Sequence, residues 1–82
     1  MRVASVIKGL KNSQKIFLAV NGVAMYTTVG ATDGLAYTVQ RSAVQSVLIQ
    51  MASEKTVGMS KTVRVYDNKM EQVAVEVAIS LV

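Results

Sequence analysis

The most regular pattern in the chain lies near its C-terminal end. Val73, Val75, Val77, Ile79 and Leu81 alternate with Gln72, Ala74, Glu76, Ala78 and Ser80. A period of two puts the first set on one face of a strand and the second on the other. About a dozen residues at about 3.3 Å each would reach about 40 Å. A folded chain of this size has a radius of gyration of only about 12 Å. The strand is therefore expected to bend, or to project and pair with a neighbouring subunit. Residues 61–66 alternate as well, with Val63 and Val65 opposed to Thr62, Arg64 and Tyr66. Asp67-Asn68-Lys69 reads as the turn between these two strands.

Upstream, Lys15–Val20 and residues 23–29 flank Asn21-Gly22. Asn-Gly between two apolar runs predicts a type I′ hairpin, because both central residues need positive φ. Gly30–Gly34 reads as a turn, and residues 35–40 as a third, shorter strand. Residues 42–55 predict a helix. Ala43, Val44, Val47, Leu48 and Met51 form one apolar stripe, and Gln45, Ser46, Gln50, Ser53 and Glu54 take the polar side. Ser42 with Gln45 matches a capping box. Lys55 suits the C-terminal dipole, and Gly58 follows as a breaker. Near the start, Val3, Val6, Ile7 and Leu10 recur at helical spacing, so a short N-terminal helix competes there with a strand.

Together these elements predict an α+β fold in a single domain over 1–82. Its sheet is small and mostly antiparallel, with one packed helix (42–55). The expected core is Ile16, Leu18, Met25, Val44, Val47, Leu48, Met51, Val63, Val65, Val75, Val77 and Ile79.

Composition narrows the function. Apolar residues make up 51% of the chain, yet the only aromatics are Phe17, Tyr26, Tyr37 and Tyr66. A domain this small buries only about 60% of its unfolded surface. It usually leans on disulfides, a metal or oligomerisation. The chain has no Cys and no His. Disulfides, thiolate and imidazole ligands and histidine bases are therefore excluded, and oligomerisation remains. No apolar run is long enough to span a bilayer, and no signal-peptide core is evident. The expectation is a soluble product, cytoplasmic or within a virus particle.

The net charge of +4 is uneven. Arg2, Lys8, Lys11, Lys15 and Arg41 stand against Asp33 in residues 1–41, while residues 42–82 balance. Those five basic residues are the candidate nucleic-acid contacts; solubility charge is the competing reading. Tyr26, Tyr37 and Tyr66 could stack bases if they shared a sheet face with Arg64 and Lys15. No catalytic constellation is visible. Gly30–Gly34 lacks the Gly-Lys-Ser/Thr ending of a phosphate loop. Asp67 and Glu71 flank a turn, where such residues serve the backbone. No cofactor, metal or small-molecule substrate is expected.

Residues 6–22 read Val-Ile-Lys-Gly-Leu-Lys-Asn-Ser-Gln-Lys-Ile-Phe-Leu-Ala-Val-Asn-Gly. A short N-terminal helix and an apolar strand ending in Asn-Gly resemble the start of the Sm-like/Hfq family. That resemblance implies a small barrel, a ring of subunits and binding of single-stranded RNA. Thr27 and Thr28 stand near where the family carries a strand glycine, and its Lys-His motif has no histidine here. No binding residue is carried over.

The leading expectation is a non-enzymatic, homo-oligomeric structural or assembly protein of the kind found in virus or phage particles. Its contacts would come from Val75, Val77, Ile79 and Leu81 on the long last strand. The alternative is a small basic nucleic-acid-binding module. The expected partner is a second copy of the chain, with nucleic acid in the alternative and a membrane in neither.

Overall fold

The computed structural model describes residues 10–82. The N-terminal helix expected around Val3, Val6 and Ile7 lies outside them. Two strands open the fold, β1 (Lys15–Val20) and β2 (Val23–Thr28). They pair antiparallel from Lys15↔Thr28 to Val20↔Val23. Asn21 (φ 49°) and Gly22 (φ 83°) form the link, the two positive φ values of a type I′ turn.

The chain then makes a 3₁₀ turn, Gly30–Gly34, where the sequence suggested an ordinary one. Thr32 is buried there, and its hydroxyl donates to the Val29 carbonyl at 2.7 Å. The expected strand at 35–40 does not form. Helix α1 spans Thr38–Glu54 and begins a turn before the expected Ser42. Val39 extends the stripe of Ala43 and Val47 by one step of four residues, so packing favours helix over the local β-branched bias. The Arg41 N–H bonds the Tyr37 carbonyl at 3.0 Å. The Arg41 guanidinium donates to the Leu35 carbonyl at 2.9 Å, tying the loop to the helix. Ser42, inside the helix, is no cap. Gln45 donates instead to Asp33 Oδ1 at 3.2 Å. The helix ends on Lys55 in the left-handed conformation (φ 54°), its N–H bonded to the Met51 carbonyl.

Strand β3 (Gly58–Tyr66) starts on the glycine expected only to break the helix, and β4 (Gln72–Leu81) closes the fold. The sheet order is β2-β1-β4-β3. All neighbouring pairs are antiparallel. The ten residues of β4 span about 33 Å and match the longest extent of the described chain, 34 Å. The strand thus runs the length of the body and does not overreach it. It pairs with β3 throughout, but with β1 only from Val77 to Leu81. Beyond the end of β1, Asn21 continues the contact: its N–H donates to the Glu76 carbonyl at 2.8 Å, and its Oδ1 accepts the Glu76 N–H at 3.0 Å.

Helix α1 packs on the face of β3 and β4 that carries Val75, Val77 and Ile79. These residues join Ile16, Leu18, Val44, Val47, Leu48 and Met51 in the buried cluster. Val20, Val29 and Ala43 are buried beyond expectation. Three expected core residues differ. Val63 and Val65 are half-buried, because β3 is an outer strand. Met25 is 42% exposed, because it lies on the other outer strand, away from the helix.

Candidate functional site

One layer of helix covers one face of the sheet, and register defines the other. Tyr26, Phe17, Ser80 and Gly58 form one row across it, and Ala24, Ala19, Ala78 and Ser60 the next. Further along, Glu76 opposes Thr62, Ala74 opposes Arg64 and Gln72 opposes Tyr66. Every residue of these rows is exposed or half-buried. The Phe17 and Tyr26 rings meet at 5.1 Å between centroids with a 57° tilt. The charged residues on this face are Lys15, Arg64 and Glu76, among those described.

The structure divides the predicted stacking set. Tyr26, Tyr66, Lys15 and Arg64 share the uncovered face, while Tyr37 sits at the start of α1. Tyr26 and Tyr66 lie on opposite outer strands and at opposite ends, about 30 Å apart at ordinary strand spacings. The candidate basic residues are also scattered. Arg2 and Lys8 lie outside the described residues. Lys11 and Lys15 are exposed near the start of β1. Arg41 is half-buried on α1 and engaged with the Leu35 carbonyl, so it does not join Lys15 on the sheet.

The predicted oligomer contacts are corrected. Val75 and Val77 are 1% exposed and Ile79 2%, and Leu81 is half-buried against the same core. Their own helix covers them. Alternation shows which face of a strand is apolar, but it does not say whose residues cover that face. Among the described residues, the accessible parts of the sheet are its outer strands and the face away from α1. Backbone direction follows from two bonds, Leu81 N–H to the Val57 carbonyl (2.8 Å) and Val82 N–H to the Lys15 carbonyl (3.1 Å). Antiparallel alternation then turns the backbone groups of Gly58, Ser60, Thr62, Arg64 and Tyr66 away from β4, along an edge that no other described strand pairs with. Neither this edge nor the opposite one on β2 could be read from the sequence, because strand order could not.

Asp67 serves the turn between β3 and β4. Asp67 Oδ1 accepts the N–H groups of Lys69 (2.8 Å) and Glu71 (2.9 Å), which is turn chemistry. A cleft of about 630 Å³ lies between the start of α1 and this turn, with Tyr37, Gln40, Lys69, Glu71 and Val73 among its walls. Among the described residues no group of His, Cys, Asp or Glu could hold a metal ion, and no helix is long and apolar enough to cross a membrane. No family model, curated protein or solved structure matches the chain.

Proposed function

We propose that the protein is a non-enzymatic structural subunit that works by self-association, its partner being a second copy of the same chain. The observation that carries this reading is the composition of the uncovered sheet face. An antiparallel sheet with one wet face normally turns polar side chains to water. Here the two central strands present Phe17, Ala19, Ala74 and Ala78 beside Gln72 and Ser80, with Lys15 and Glu76 as their charges. Small side chains allow a second sheet to approach closely.

The area suits a second copy. Four strands at about 4.8 Å spacing and about 25 Å mean length give about 480 Å² per copy. Two such faces together approach the roughly 1,000 Å² of a specific interface. Charge is compatible as well. Arg64 and Glu76 are diagonal neighbours, since Arg64 opposes Ala74 and Thr62 opposes Glu76. A two-fold axis bisecting the line between them sets each against the other residue of the partner copy. The shell of a virus or phage particle is the setting we favour for a compact subunit rich in Val, Ala and Thr.

Light scattering between about 1 and 100 µM tests the proposal. Multiples of the 8.8 kDa chain mass are expected. A stable monomer throughout overturns it. Ala78→Arg should disperse a face-to-face assembly while leaving the circular dichroism of the fold intact.

A second reading, a nucleic-acid-binding module, is favoured by one observation: Lys15, Phe17, Tyr26, Arg64 and Tyr66 share the open face. The implied Sm-like RNA binding belongs with this reading. Filter binding across a salt series decides it. Each phosphate contact to a single strand contributes a log–log slope of about −0.7. Salt-insensitive or absent binding at 50 mM salt removes it.

A further inference from the structure

Strand β3 lies at the margin of the sheet, nine residues long. Its pairing with β4 is unbroken from Gly58 to Tyr66, so no bulge twists its edge away. The chain contains no Pro to blunt it. Such an edge is a template for another strand. The opposite edge is weaker, because β2 has only six residues and turns only Ala24, Tyr26 and Thr28 outward.

Resting on the self-association reading, we infer that two copies of the chain join edge to edge at β3, antiparallel, with Thr62 opposite Thr62 of the partner subunit on the two-fold axis. The outward backbone groups belong to residues 58, 60, 62, 64 and 66, which are symmetric about Thr62. This register pairs all of them and forms about ten hydrogen bonds. A slip by an odd number of residues would set outward groups against inward ones.

Side chains choose among the even slips. In the Thr62-centred register Gly58 faces Tyr66 across the axis, and Ser60 faces Arg64. On the helix side Lys61 faces Val63, and Met59 faces Val65. No like charges stand directly opposite each other; Lys61 and its symmetry mate are diagonal. The Lys61 ammonium is also held by its own helix, donating to Gln50 Oε1 at 2.7 Å. Shifting the axis to residue 61 sets Lys61 directly against its symmetry mate, and shifting it to residue 64 does the same for Arg64. Like charges directly opposed destabilise a strand pair. Moving the axis to residue 63 avoids that clash but leaves Gly58 unpaired. The outcome is one continuous eight-stranded sheet with both helices on one side, from two sheets of four. The small-residue faces then merge into one broad surface on the other side.

The absence of Cys makes the test clean, since any single introduced cysteine can bridge only between copies. A directly opposed pair has Cα atoms about 5.5 Å apart, within disulfide range. Under mild oxidation Thr62→Cys should convert most of the protein to a covalent dimer, at least tenfold more than Lys61→Cys or Val63→Cys. Dominant bridging at residue 61 or 63 overturns the register, as does an oligomer by mass in which Thr62→Cys fails to bridge. A wild-type monomer by mass overturns the self-association reading as well.

Thr62→Pro supplies the second measurement. It removes an outward N–H that the chain's own sheet does not use, which edge strands tolerate. The variant should keep its circular dichroism and weaken association at least tenfold. Folded protein that associates like wild type overturns the proposal. Thr62→Lys, which opposes two ammonium groups at the axis, gives the same readout should the proline variant not fold.

Discussion

Leu48 and Ile49 are adjacent aliphatic residues on α1, and they should respond very unequally to truncation. Leu48 is fully buried, whereas Ile49 is 49% exposed. Leu48→Ala removes three carbons from the core, worth about 2.4 kcal/mol at about 0.8 kcal/mol per methylene. The cavity left behind adds up to roughly 2 kcal/mol at about 24 cal/mol per Å³ of unfilled space. The expected loss is about 2.5–4 kcal/mol. A domain of this size holds only about 4–12 kcal/mol in all. The midpoint of thermal unfolding should therefore fall by roughly 10–30 °C at about 4–8 °C per kcal/mol. For Ile49→Ala the transfer loss is partial, and alanine's better helix propensity offsets some of it. Its cost should stay below about 1 kcal/mol. Guanidinium unfolding at one fixed protein concentration measures both, since self-association shifts the midpoint with concentration. Equal losses at the two positions, with unchanged m-values, would refute the orientation of α1 on the sheet.

Other substitutions separate backbone from packing effects. Gly22→Ala should cost about 1–2 kcal/mol through its φ of 83° alone, because nothing lies within 4 Å of an added Cβ; chemical denaturation reads the loss. Gly30→Ala should cost about 1–3 kcal/mol for the opposite reason, since its Cβ would lie 3.0 Å from Asn12 Cβ. Chemical denaturation reads that loss too, and amide exchange at the Gly30 N–H, bonded to the Asn12 carbonyl at 3.0 Å, should quicken. Lys55→Gly should stabilise by about 0.5 kcal/mol, because Lys55 holds a left-handed φ of 54° that glycine adopts freely. A raised unfolding midpoint checks it.

Local signals carried well where the structure depends on neighbours in sequence. The Asn21-Gly22 hairpin, the stripe of Val44, Val47, Leu48 and Met51, and the alternation of β4 all follow from periodicity and turn chemistry. The misreading at residues 35–40 shows the limit. Val39 looked like a strand residue among its immediate neighbours, but it belongs to the helical stripe once α1 lies on the sheet. The β4 contacts failed for a related reason. Val75, Val77 and Ile79 were correctly read as one apolar face, yet their own helix claims them.

The sequence by itself determined the α+β class, the register of the first hairpin, and the absence of thiol and imidazole chemistry. Each of these depends on residue type or on spacings of a few positions. Only the tertiary structure decided the order β2-β1-β4-β3, and with it which strands are central and which present edges. It also decided that Lys15, Phe17, Tyr26, Arg64 and Tyr66 share a face that no helix among the described residues covers. Strand order depends on pairings between residues far apart in the chain, which local periodicity does not encode. The surfaces left open for a second copy are set by that order.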